Sequence, residues 1–252
     1  FYTLSALTQG GLYTPAIMLF ADRYAPKRRG TAVGWLIASN TFGYGFSVLM
    51  AGAMLAIGGY QSAFIVAGLL PVPGFFICWL ALRDTENVIR PRPVGGGVWR
   101  IMRTNATARR LVAGYTFHCW ELLTMWAWLP AFLAAGLGLS GTELGKATQI
   151  GAYLTAIIYL TGSFASWSMG ALSDRLGRRT VLLSTAILSS AFSMAYGWLV
   201  DWPTTVLLIL GLAYTFVAVG DSPVLSAALT EAVDPASLGS VLALRALLGF
   251  SA

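Results

Sequence analysis

Glu121, His118, Asp221 and Arg245 are the side chains of this sequence best placed to do chemistry, because each stands well inside a long apolar run. If such runs cross a bilayer, a charge at a helix centre costs at least about 2.5–3.5 kcal/mol, so each is a functional candidate by default. Glu121 and His118 lie three residues apart, on one side of a helix. A desolvated carboxylate beside an imidazole is a pairing suited to taking up and releasing protons. Asp221 and Arg245 read as an ion pair lining a cavity. Beside that stands a structural reading, in which the pair is an interhelical clamp and His118 a satisfied packing residue. Asp221-Ser222-Pro223 adds a proline that would free backbone carbonyls next to the charge.

Uncharged polar and aromatic residues extend this set. Trp120 is deep enough to touch a solute, whereas Trp126 and Trp128 fall toward the outer interface, where aromatic belts form. Asn40, Thr41, Gln9, Tyr13, Gln149 and Tyr153 are candidate cavity linings, although such residues also hold helices together. Gly43 and Gly45 are expected to permit close helix contact. Enzymatic chemistry finds little support. There is one histidine, no spacing typical of metal ligands, no nucleophile beside a base, and no G-x-x-x-x-G-K-[ST] loop for nucleotide phosphates. Cys78 and Cys119 stand singly in apolar stretches, and no cofactor or metal is expected.

The elements that must position these groups are membrane helices. Charged residues make up 10% and hydrophobic residues 57% of 252 positions, against roughly 25% charged in a soluble domain. About 20 apolar residues span a bilayer core. Runs of that length occur at 1–21, twice within the charge-free stretch 30–82, and at about 110–134, 144–171, 180–200 and 203–229; an eighth begins near Gly239. Gly58-Gly59-Tyr60-Gln61 is the natural turn inside 30–82. At 1.5 Å per residue, Glu121 lies about 16 Å, Asp221 about 15 Å and Arg245 roughly 9–12 Å from the ends that carry the basic breaks. Both termini fall in apolar runs, so a piece of a longer protein is expected.

Fourteen of the sixteen Lys and Arg residues sit in three breaks, at 22–29, 83–110 and after 171. Alternation puts all three on one side, which the positive-inside rule makes cytoplasmic. The net charge of +6 is therefore a topology signal, and no nucleic acid is expected as a partner. Residues 84–108, with Pro91, Pro93 and Gly95-Gly96-Gly97, read as a linker between two helical bundles, with room for a short lateral helix around Trp99–Arg103. Asp22, Pro26 and Gly30 recur at a constant offset of 209 as Glu231, Pro235 and Gly239, and Gly11 as Gly220. Six spans separate the copies, as two six-helix halves related along the membrane normal require.

Gly170-Ala171-Leu172-Ser173-Asp174-Arg175-Leu176-Gly177-Arg178-Arg179 fills a short basic break between two spans. It resembles the G-x-L-x-D-R-x-G-R-R/K loop of the major facilitator superfamily, found between helices 2 and 3 and in weaker form between helices 8 and 9. Asp22-Arg23, Pro26 and Arg28-Arg29-Gly30 resemble the loop between helices 4 and 5 of that family, and Gly10-Gly11-Leu12-Tyr13-Thr14-Pro15 its helix 4. The arginine often found earlier in helix 4 is absent here, where Ser5 is nearest. The resemblance numbers the spans as helices 4 to 11 of an all-α, twelve-helix membrane fold. It implies helices 4–6 in residues 1–83, a linker at 84–108 and helices 7–11 in 109–252. It also implies a monomeric secondary transporter in the lipid bilayer of the plasma (bacterial inner) membrane, moving a small-molecule substrate, with protons, by alternating access; the alternatives are a facilitative uniporter or drug-efflux antiporter of the same fold and, further off, a channel or a membrane-embedded enzyme. Loop 172–179 and the linker would be cytoplasmic. Gly170, Asp174, Arg175, Gly177, Arg178 and Arg179 would form a gate, with the Asp174 carboxylate near the N-terminus of the helix starting at Gly30. Asp22, Arg23, Arg29 and Gly30 would form a conformational loop.

Overall fold

The computed structural model describes residues 2–86, 88 and 97–251, with side chains described outside 2–11, 55 and 56. The side chain of Gln9 and the central linker residues Arg90, Pro91, Arg92, Pro93, Gly95 and Gly96 lie outside that set. Every regular element among the described residues is helical: α1 Tyr2–Arg23, α2 Pro26–Leu69, α3 Pro71–Leu82, α4 Gly97–Thr104, α5 Ala106–Leu139, α6 Leu144–Leu176, α7 Arg178–Tyr196, α8 Thr204–Ala232 and α9 Pro235–Phe250. Helix α2 breaks where the sequence places a turn. Gly58 and Gly59 leave helical geometry there, and Gly59 takes φ 68°, a conformation glycine supplies without strain. Five stretches are long and apolar enough on their own to cross a membrane: Ile57–Leu82, Ala106–Leu139, Leu144–Leu176, Arg178–Leu199 and Thr204–Ala232. Helix α1, the first part of α2 and the shorter apolar α9 occupy the other three expected runs. The short α4 stands where a short helix is expected around Trp99–Arg103, and its apolar residues Val98, Ile101 and Met102 pack toward α5 and α9.

Local chemistry sets the helix boundaries. Proline opens α2, α3 and α9, where its missing N–H has no intrahelical partner in any case. Asn105 accepts from the Ala108 N–H at 2.9 Å to cap α5, and its Nδ2 donates to the Ala232 carbonyl at the end of α8, 2.8 Å away. Helices α6 and α7 are separated by Gly177 alone, with φ 86°. The break expected over 172–179 is thus a single residue, and Asp174 and Arg175 ride on the last turn of α6.

Helix α8 is the axis of the second half, buried from Val217 through Thr230 except for the half-buried Asp221. One apolar core joins α5, α6, α7 and α8 through Leu133, Ile158, Tyr196 and Leu207. Another joins α1, α5, α8 and α9 through Ile17, Val112, Leu229 and Leu242. The most extensive interface runs between α2 and α6, which lie antiparallel. Gly30 and Gly34 on α2 meet Gly170 and Ser166 on α6, so two small-xxx-small patterns face each other. A Cβ added at Gly30 would come 2.5 Å from the Gly170 carbonyl oxygen, and one at Gly34 2.7 Å from that of Ser166. Farther along, Gly162 faces Thr41, Gly45 faces Leu160 and Gly52 faces Tyr153. Gly43 departs from expectation: it faces open space and permits no close contact.

Candidate functional site

Two polar sites stand out, one at the end of the α2–α6 interface and one buried among α5, α7, α8 and α9. The glycine contact brings the last turn of α6 against the start of α2. There, Asp174 Oδ1 accepts from the Gly30 N–H at 3.0 Å, and Oδ2 accepts from the Thr31 N–H at 2.8 Å and the Thr31 hydroxyl at 2.6 Å. A carboxylate near a helix N-terminus also meets the favourable end of the helix dipole. Arg178, at the start of α7, pairs with Asp174 Oδ1 at 2.7 Å and Glu231 Oε1 at 2.7 Å, and donates to the Pro26 carbonyl at 3.1 Å. One guanidinium therefore ties α6, α7 and α8 to α2. Gly170 and Gly30 have a steric part here, because a Cβ on either would strike the other's backbone.

The rest of the motif is placed less centrally. Arg175 and Arg179 are exposed and make no hydrogen bond or ion pair among the described residues. Arg29 donates to the Tyr24 carbonyl at 3.1 Å and reaches the Thr230 carbonyl at 3.5 Å. Asp22 and Arg23 are exposed at the end of α1. Glu231, read from the sequence only as the repeat partner of Asp22, is a full member of the cluster.

In the second site the expected partnerships are exchanged. His118 Nδ1 lies 2.7 Å from Asp221 Oδ1, with the side chains 3% and 15% exposed. Arg245 does not pair with Asp221. Its Nη1 donates to Ser226 Oγ at 2.9 Å, and its Cζ sits 3.9 Å from the centroid of the Tyr115 ring and 5.7 Å from that of Tyr13. Helical geometry explains the exchange. Five residues separate Asp221 from Ser226, about 140° around α8 at 3.6 residues per turn, so one faces α5 and the other α9. Glu121 likewise makes no hydrogen bond to His118. It turns toward α7, where Ser189 Oγ donates to its Oε2 at 3.3 Å. Its other oxygen is buried without a hydrogen bond. With Trp120, Thr124, Trp128, Ser193 and Tyr214 it lines a cavity of about 410 Å³ between α5, α7 and α8.

The remaining candidates are scattered. Asn40 is exposed on α2, and Trp120 is half exposed. Tyr153 packs on Gly52, with its hydroxyl 3.4 Å from Gln149 Nε2. Trp128 is 68% exposed, as a belt residue would be, but Trp126 is not. It stacks on Tyr44 of α2 with centroids 4.5 Å apart, and Tyr159 of α6 tilts against both rings. Tyr159 also donates to the Trp126 carbonyl at 2.8 Å. That carbonyl would normally bond the N–H of residue 130, which is a proline and has none. The signal was present in the four-residue spacing of Trp126 and Pro130. The partner on another helix was not.

The sequence model of the Major Facilitator Superfamily matches residues 1–252. The chain belongs to this family. Two curated relatives are similar to this major facilitator chain. A probable 4-methylmuconolactone transporter of Cupriavidus pinatubonensis is 27% identical over 91% of the chain and 53% of its own length. A probable L-galactonate transporter of Escherichia coli is 26% identical over 77% of the chain and 47% of its own length. The chain thus spans about half the length of the curated relatives it matches. No solved structure matches significantly. The apolar helices and the family together make this a multi-pass membrane protein of the major facilitator type.

Proposed function

We propose that the protein is a secondary transporter that carries a small organic solute across the bacterial inner membrane by alternating access, with proton movement through Glu121, His118 and Asp221. In this reading residues 1–83 and 109–252 belong to two bundles joined by the linker 84–108, the protein works as a monomer, and the Asp174–Arg178 cluster is a cytoplasmic gate. The observation that carries the reading is the Asp174 bridge: a carboxylate from α6 holds two backbone N–H groups of α2, across the proposed junction of the bundles. Such a contact can be made and broken as a unit, which alternating access requires. The names of the two relatives, for transport of 4-methylmuconolactone and L-galactonate, support a small oxygen-rich solute.

The test is reconstitution of the full-length protein in proteoliposomes. Saturable uptake with counterflow of labelled solute is the expected result, and flux that rises linearly without counterflow would indicate a channel. Glu121→Gln separates coupling from passage. Counterflow is expected to persist while uptake driven by a pH gradient falls at least tenfold; unaltered gradient-driven uptake removes Glu121 from the proton path.

A further inference from the structure

Arg245 is 1% exposed, and among the described residues it has no carboxylate partner. Asp221 is taken by His118, and Glu121 is held by Ser189. Of the guanidinium's polar atoms, Nη1 donates to the neutral Ser226 Oγ, and Nε is buried without a hydrogen bond. The rings of Tyr115 and Tyr13 attract the cation but accept none of its in-plane N–H groups. A planar fork of donors, sealed from water and short of acceptors, has the geometry that a carboxylate satisfies with two parallel bonds. The four groups also come from both sides of the linker: Tyr13 from α1, the others from α5, α8 and α9.

We propose that Arg245 is an anion subsite that takes the carboxylate of an organic acid, entered when α1 parts from α9 and withdraws Tyr13. This inference rests on the transport reading and names its substrate class. In the conformation described here the site is closed by Tyr13, so carboxylate binding favours the form in which α1 has moved away.

The experiment measures thermal unfolding of the purified full-length protein in detergent with L-galactonate, gluconate, lactate and benzoate, each beside its primary amide. At least one carboxylate is expected to raise the unfolding midpoint while its amide does not, and Arg245→Lys is expected to weaken the apparent affinity at least tenfold. Tyr13→Ala, which removes the closing ring and leaves the guanidinium, is expected to tighten binding severalfold. No shift with any carboxylate, an equal shift with the amides, or unchanged affinity in Arg245→Lys overturns the subsite. The carboxylate–amide comparison needs no variant, so a null result there overturns the subsite even if Arg245→Lys fails to fold. Counterflow of an uncharged solute that ignores Arg245 would sink the subsite and leave the transport reading standing. Absence of saturable counterflow for every solute would sink the transport reading itself.

Discussion

Asp174 and Arg178 show how much a few polar atoms are asked to hold at one end of the α2–α6 interface. Asp174 accepts three hydrogen bonds from α2 and is only 8% exposed, so its charge is well shielded from water. Asp174→Asn keeps the shape and loses the charge, and its amide nitrogen must face a donor that it cannot satisfy. Hydrogen bonds to a charged group contribute about 1.5–3 kcal/mol. The substitution is expected to destabilise the closed contact by about that amount and to expose a cysteine placed at Ala171 to an aqueous maleimide; unchanged labelling would deny the carboxylate a closing role. The buried pair of His118 and Asp221 makes a separate prediction. A double-mutant cycle with His118→Ala and Asp221→Ala, read by unfolding in detergent, should give a coupling energy of about 0.5–3 kcal/mol. Additive effects would mean that the 2.7 Å approach carries no energy. The sequence named His118, Glu121, Asp221 and Arg245 because a charge in an apolar run is conspicuous. It could not pair them, since partner choice depends on which way each helix is rotated. Asp221 and Ser226 on one helix look to different neighbours, and one-dimensional spacing does not say which.

Helix α2 and helix α6 meet through glycine where most helices would meet through leucine. In lipid there is no hydrophobic gain in pressing helices together, so close backbone approach has to supply the contact. Gly34 is the cleanest probe, since its neighbours are Ser166 and Trp167 backbone atoms that cannot swing aside. Gly34→Ala is expected to cost about 1–3 kcal/mol as an overpacking change. Gly43→Ala, facing open space on the same helix, should be neutral or stabilising by about 0.4–1 kcal/mol. Unfolding midpoints of the two variants against the parent check the contrast, and equal effects would mean that the glycine contact is incidental. The apolar runs, the Gly58-Gly59 turn and the short helix α4 were legible in the sequence, because each follows from local composition and length. The small-xxx-small match was not, since Gly30/Gly34 and Ser166/Gly170 become a pattern only once α2 and α6 are known to face each other. Gly43 and Gly45 were read alike for the same reason, and only Gly45 touches its neighbour.

Across the whole molecule, two of the contacts between the segments before and after α4 differ sharply in chemistry. One is the polar cluster at Gly30, Thr31, Asp174 and Arg178, and the other is the aromatic contact of Tyr44 with Trp126 and Tyr159. At 1.5 Å per residue they are separated by about 22 Å along α6 and about 21 Å along α2. A rocking motion that opens one end must keep or tighten the other, so weakening each contact should move the equilibrium in opposite directions. Asp174→Asn is expected to lengthen a spin-label distance between the Arg29 and Arg175 positions and leave one between Ser47 and Thr161 unchanged or shorter. Tyr44→Ala is expected to do the reverse, because it removes a 4.5 Å stack and leaves the polar cluster intact. A bias of about 1.4 kcal/mol shifts the ratio of the two forms tenfold, enough for the minor distance to become a resolved peak. If both variants lengthen both distances, the contacts only hold the molecule together, and the two-ended arrangement does not operate as a pair of gates.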